Sequence, residues 1–297
     1  MTYAIDPATP SSPSGSARLI HGIDFTSSPR PGKPITIATG RREAETLRLD
    51  ALERLQDWPA FEAWLARPGP WLGGFDFPFG LPREAVTDLG WPLDWAALVR
   101  HCRSIGRVAL RAAFDGHREA RPMGMRYAHR ATDRPARSHS PLKLVNPPVG
   151  LMFLEGAPRL LEAGVDVPGL HAGDASRQAI EAYPGLVARR VTDASYKSDT
   201  RARQTAARRA VREKIVTQAA TDGITIDADP ASAPIRLALD DPLARQLIED
   251  ASGDLLDAAL AALQATWCDA RRTWHHGLPL DLDPIEGWIA GAPWSKP

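Results

Sequence analysis

Arg18–Phe25 reads RLIHGIDF, an apolar run that closes near an aspartate. Such a run reads as a strand entering a core, with Asp24 delivered at its end. The residues that follow, SSPRPGK at 27–33, carry the Pro and Gly of a turn. Pro34–Thr39, PITIAT, is rich in β-branched residues and predicts a second strand. Glu45–Leu52 alternates loosely and predicts a third. Three strands joined by short turns suggest an antiparallel meander.

Further along, Phe61, Trp64 and Leu65 fall at helical spacing within Pro59–Ala66, and Pro68 and Pro70 end that segment. Trp71–Phe77, WLGGFDF, is a short apolar run of the buried-strand kind, again with an aspartate, Asp76, near its end. Leu93–Phe114 predicts a helix with Trp95, Leu98, Val99, Cys102 and Ile105 on one face. Ser176–Glu181 predicts a later strand and Arg201–Thr217 a helix. Asp241–Trp267 predicts a helix interrupted near Ser252-Gly253, started by Asp241 as cap and Pro242 at the first position. A meander followed by alternating elements implies an α/β fold, a mixed sheet with helices on both faces. Glu119–Gly173 does not fit the alternation; it is long, basic and partly Pro-rich, and reads as an insertion at about 119–173. Residues 1–17 are rich in Pro, Ser and Gly and read as a flexible tail before one domain covering 18–297.

Composition narrows the classes. Hydrophobic residues make up 43% of the 297, enough for a sizeable core. No apolar run approaches the roughly 20 residues that span a bilayer. The first 17 residues lack the basic start and apolar centre of a secretion signal. Cys102 and Cys268 are far apart and form no metal-type pair, so a reduced, cytoplasmic setting is expected. The formal net charge is zero, yet Arg100–Lys143 holds eleven Lys or Arg against three acids, and Leu186–Lys214 holds nine against three. Such stretches suit either a solvated surface or a polyanion such as nucleic acid. The expected phosphate contacts are Arg130, Arg134, Lys143, Lys197, Arg208 and Arg212.

Acids stand in unexpected company at four places. Asp24 and Asp76 end apolar runs. Glu181 precedes the chain-breaking Pro-Gly in EAYPG. Asp254 and Asp257 lie in GDLLDAALAAL, three residues apart and so on one side of a helix. Taken singly, Asp24, Asp76 and Glu181 suit turns or loop hydrogen bonds and Asp254 suits a cap. Asp257 is harder to place structurally, because its neighbours are apolar. Carboxylates gathered in a core repel: at about 4 Å the cost is roughly 4 kcal/mol for an effective dielectric near 20. A divalent ion removes that conflict, and hard oxygen donors suit Mg²⁺ or Mn²⁺. Two such ions, roughly 3.5–4 Å apart, serve phosphodiester hydrolysis. Asp24, Asp76, Glu181 and Asp257 are therefore the candidate catalytic acids, and Asp24, Asp76, Asp254 and Asp257 the candidate metal ligands.

At these residues the chain resembles the DUF429 family, described as predicted ribonuclease H-like nucleases. The resemblance is carried by GIDFTSSP around Asp24, GFDFPFGLP around Asp76, EAYPG around Glu181, Tyr196-Lys197, DLLDAALAAL around Asp254 and Asp257, and EGWI at Glu286–Ile289. It implies a ribonuclease H-like sheet in which the first and fourth strands are adjacent, Asp24 faces Asp76, and the last helix brings in Asp257, with metal-dependent nuclease activity. The segment His129–Lys143 would line the mouth of the site. Two other readings stay open: a nucleic-acid-binding or interaction protein with a vestigial site, and an actin- or sugar-kinase-like ATP-binding protein. The second lacks a second Gly-rich phosphate loop. His275-His276, being adjacent, lacks helical zinc spacing and is expected in a solvent loop.

Overall fold

Two strands, each carrying a glycine two residues before its aspartate, form the centre of the sheet. They are β1 (Leu19–Asp24) and β4 (Trp71–Asp76), and they pair in parallel with Gly22 opposite Gly74 and Asp24 opposite Asp76. Side chains two apart share a face of a strand, so all four residues address the same side of the sheet. The computed structural model describes residues 18–229 and 231–294. The tail expected at 1–17 lies outside them.

β2 (Ile35–Glu43) and β3 (Thr46–Leu55) complete the antiparallel meander with β1. β6 (Asp174–Glu181) adds in parallel beside β4, and the two-residue β5 (Val165–Asp166) beside β6. β7 (Arg236–Ala238), which the sequence did not reveal, closes the other edge on β3. The order is β5-β6-β4-β1-β2-β3-β7. This is the mixed α/β sheet that the sequence predicts, with β1 and β4 adjacent.

Helices cover both faces. On one lie α1 (Trp58–Leu65), α2 (Arg83–Asp88), α3 (Trp95–Glu119) and, from the insertion, α5 (Val149–Glu162). Their apolar residues join Ile23, Phe75 and the buried Trp64, Trp71 and Trp95 in one core. A non-helical Gly106 kinks α3. On the other face, α7 (Ala206–Thr221), α8 (Asp241–Glu249) and α9 (Asp254–Ala270) build a second core with Ile20 and Leu72. The short helices α4 (Asp133–Ala136) and α6 (Pro184–Ala188) sit in the connections.

Four expectations need correction. The insertion is no plain loop: α5 is a 14-residue helix that packs its apolar side on the first core. The helix expected from Arg201 begins at Ala206, because Thr205 caps it by accepting from the Arg208 N–H; Arg201–Arg203 form a 3₁₀ turn. The cap of α8 is Asp240, whose carboxylate accepts from the Leu243 N–H, while Asp241 and Pro242 are already helical. His276 is buried, although His275 beside it is exposed.

Candidate metal centre

α9 reaches the site because nothing stands between it and the sheet. A Cβ on Gly22 would lie 1.9 Å from the Ala258 carbonyl oxygen, and one on Gly74 would lie 2.5 Å from that of Ala261. The Gly-x-Asp spacing on each strand and the small residues of α9 thus belong to one arrangement. Glycines admit the helix, and the helix sets Asp257 beside the two strand-end aspartates.

Asp24, Asp76 and Asp257 each offer a carboxylate oxygen, and these oxygens lie within 4.8 Å of one another. Asp257 is fully buried, Asp24 is 7% exposed, and Asp76 is partly exposed. Asp24 and Asp76 line a cavity of about 920 Å³; among the described residues no donor hydrogen-bonds either carboxylate. Burial, then Asp254 and Asp257, push the Asp24 carboxyl well above the usual range. Burial, then Asp257, push Asp76 up to about 7. Burial also raises Asp257, against Lys197 and Tyr196, which favour its ionised form.

Asp257 is engaged on both oxygens. The Tyr196 hydroxyl donates to one at 2.5 Å and the Lys197 ammonium to the other. Burial opposes charge on Lys197, but Asp257 and the surrounding acids outweigh it and raise its pKa. Asp254 stands apart from the three-carboxylate group. Its carboxylate accepts from Lys33 at 2.9 Å, and its carbonyl accepts from the Thr36 hydroxyl at 2.8 Å. It does not cap α9: Gly253 holds the cap position, and the Asp250 carboxylate accepts from the Leu255 N–H. Both Asp254 and Asp257 lie in the first turn of α9, where the helix dipole favours negative charge.

Glu181 ends β6 near the cavity, but Arg130 grips both its oxygens at 2.6 and 2.7 Å, and the Phe79 N–H donates to one of them. Burial raises the pKa of Glu181 while Arg130 opposes the rise. Arg130 was expected to meet substrate. It is buried, with further bonds to Asp133 and to the Glu286 carbonyl, so no donor face is left for a phosphate. Arg212 is likewise buried, donating to the carbonyls of Tyr196 and Ile248. Arg134 is exposed and Lys143 and Arg208 are half-buried, and none of the three lines the cavity. Of the expected phosphate contacts, Arg130 and Lys197 line it, and both are committed to carboxylates.

Sequence reasoning missed Lys33 and Arg189, which also line the cavity, while Arg137 and His139 at its wall belong to the His129–Lys143 segment expected at the mouth. Lys33 had a readable signal. It precedes β2 in a hairpin, and Thr36 pairs with Asp24, so the turn must return to the end of β1. The EGWI stretch is structural: the Glu286 carboxylate accepts from the N–H groups of Arg83 and Ala131, and Ile289 donates to the Thr132 hydroxyl.

The donor set fits a hard divalent cation: carboxylate oxygens, two of them on residues without a hydrogen-bond donor, at the end of a packed sheet. Among the described residues no helix is long and apolar enough to cross a membrane. One family model, described as a protein of unknown function (DUF429), matches residues 22–275. No curated protein and no solved structure matches the chain.

Proposed function

The chain belongs to the DUF429 family, and from its carboxylate group we propose that it is a divalent-metal-dependent hydrolase of phosphodiester bonds, a nuclease on a ribonuclease H-like sheet. The observation that carries this reading is the meeting of Asp24, Asp76 and Asp257 where parallel strands end beside an open cavity. Hydrolysis of a phosphodiester needs a strong nucleophile at neutral pH and relief of charge on the phosphoryl oxygens. Mg²⁺ or Mn²⁺ held by Asp24 and Asp76, with Asp257 beside them, would supply both, by lowering the pKa of bound water and by Lewis acidity. Asp24 and Asp76 orient toward the cavity as the main ligands. Asp257 shares its charge with Lys197 and fixes the depth of the site. Arg137 and Arg189, at the cavity wall, attract the phosphate backbone of a nucleic acid. Glu181 holds Arg130 and shapes the wall, and is assigned no proton transfer.

Incubation with labelled single-stranded and duplex DNA and RNA tests the proposal. Cleavage is expected in millimolar Mn²⁺ or Mg²⁺ and none in EDTA. Cleavage that persists in EDTA, or its absence with every metal and substrate, contradicts it.

A further inference from the structure

Resting on that reading, we propose that Lys197 is a built-in counter-cation that takes the place of a second metal ion, so that the carboxylate group holds one divalent cation. A two-ion centre needs carboxylates free to bridge ions roughly 3.5–4 Å apart. Both Asp257 oxygens already accept a donor, Tyr196 on one and the Lys197 ammonium on the other, which weakens them as bridges between two ions. Asp254 is held by Lys33. That leaves Asp24 and Asp76 without donors among the described residues, and Asp24 is more than nine-tenths buried while facing the cavity. Two open carboxylates beside a lysine-bound third make a place for one ion.

The Lys197 side chain is 44% exposed, yet its ammonium is anchored on the fully buried Asp257. The buried Arg212 donates to the carbonyl of the preceding Tyr196 at 2.7 Å. Gly253, at φ 81°, leaves room for its stem: a Cβ there would lie 2.5 Å from the Lys197 Cβ. The backbone on both sides of the site thus sets the ammonium against Asp257.

Counting bound Mn²⁺ by electron paramagnetic resonance and by titration calorimetry tests this on the full chain. Wild type is expected to bind one ion. Lys197→Gln removes a like charge from beside the ion and is expected to tighten Mn²⁺ binding at least about tenfold. Lys197→Arg keeps the charge and is expected to bind one ion within a few-fold of the wild-type affinity, and it serves alone if the Gln variant fails to fold. A residue that only pins the loop would change melting temperature and leave Mn²⁺ affinity unmoved. Two ions on wild type, or unchanged affinity in a folded Gln variant, overturns the proposal while leaving the hydrolase reading intact. No ion on wild type overturns both.

Discussion

Asp24→Asn is expected to abolish metal-dependent cleavage and, at the same time, to raise the melting temperature of the metal-free protein. Asn keeps the size of the side chain and removes the charge that holds a cation. The ion contributes several kcal/mol of charge stabilisation, so the loss is at least about a thousandfold in rate. Stability moves the other way. Burial and the neighbouring acids hold the Asp24 pKa well above its usual value, which means that the folded state disfavours the ionised form. A carboxylate of this kind costs stability once the unfolded chain has ionised. Without metal, wild-type stability therefore falls as pH rises from about 4, where unfolded Asp ionises, to about 7, where Asp76 titrates. The variant removes the Asp24 share of that fall and flattens the profile. Metal reverses the ranking: at 100 times its dissociation constant an ion adds about 2.7 kcal/mol to wild type and little to the variant. Cleavage rates beside thermal melts in EDTA and Mn²⁺, from pH 4 to 8, check all of this. A variant that cleaves at the wild-type rate removes Asp24 from the centre. One that melts lower in EDTA contradicts the electrostatic account.

Arg130→Met is expected to cost about 3–5 kcal/mol, because removing one partner of a buried ion group leaves the other charges uncompensated. The charges left behind are Asp133, fully buried, and Glu181, 4% exposed. The guanidinium also bonds the Glu286 carbonyl, so it ties the insertion to the end of β6 and to the C-terminal stretch. Met replaces the stem but satisfies none of these acceptors. Urea unfolding measures the cost. A loss below about 1 kcal/mol, with weakened nucleic-acid binding, would return Arg130 to the substrate-binding role that the sequence suggested.

The two assignments differ in how visible they were before the structure. Asp24 and Asp76 were legible because each is an acid at the end of a short apolar run, a local pattern that a buried strand explains. Asp257 was legible as an acid among small apolar residues on a helix. Arg130 was not, since its partner Glu181 lies 51 residues away and its neighbour Arg134, exposed, looks the same in sequence. α5 was hidden by Gly150, Gly156 and Pro158, which lower helix propensity. Tertiary packing overrides that preference: Gly150 and Gly156 let Phe114 and Phe77 approach, as a Cβ at either would lie within 3 Å of an aromatic carbon. Lys33 was hidden in a stretch whose Pro and Gly read only as a turn. Its partners Asp199 and Asp254 come from distant parts of the chain, so the ion pairs exist only once the sheet has formed.

Crystals grown without metal and soaked in Mn²⁺ offer the most direct measurement, because anomalous scattering locates the ion independently of any substrate. The account predicts one anomalous peak coordinated by Asp24 and Asp76, with Asp257 at its side and Lys197 still on Asp257. No peak at this position at several millimolar Mn²⁺, or a peak elsewhere with these three carboxylates unliganded, would contradict it.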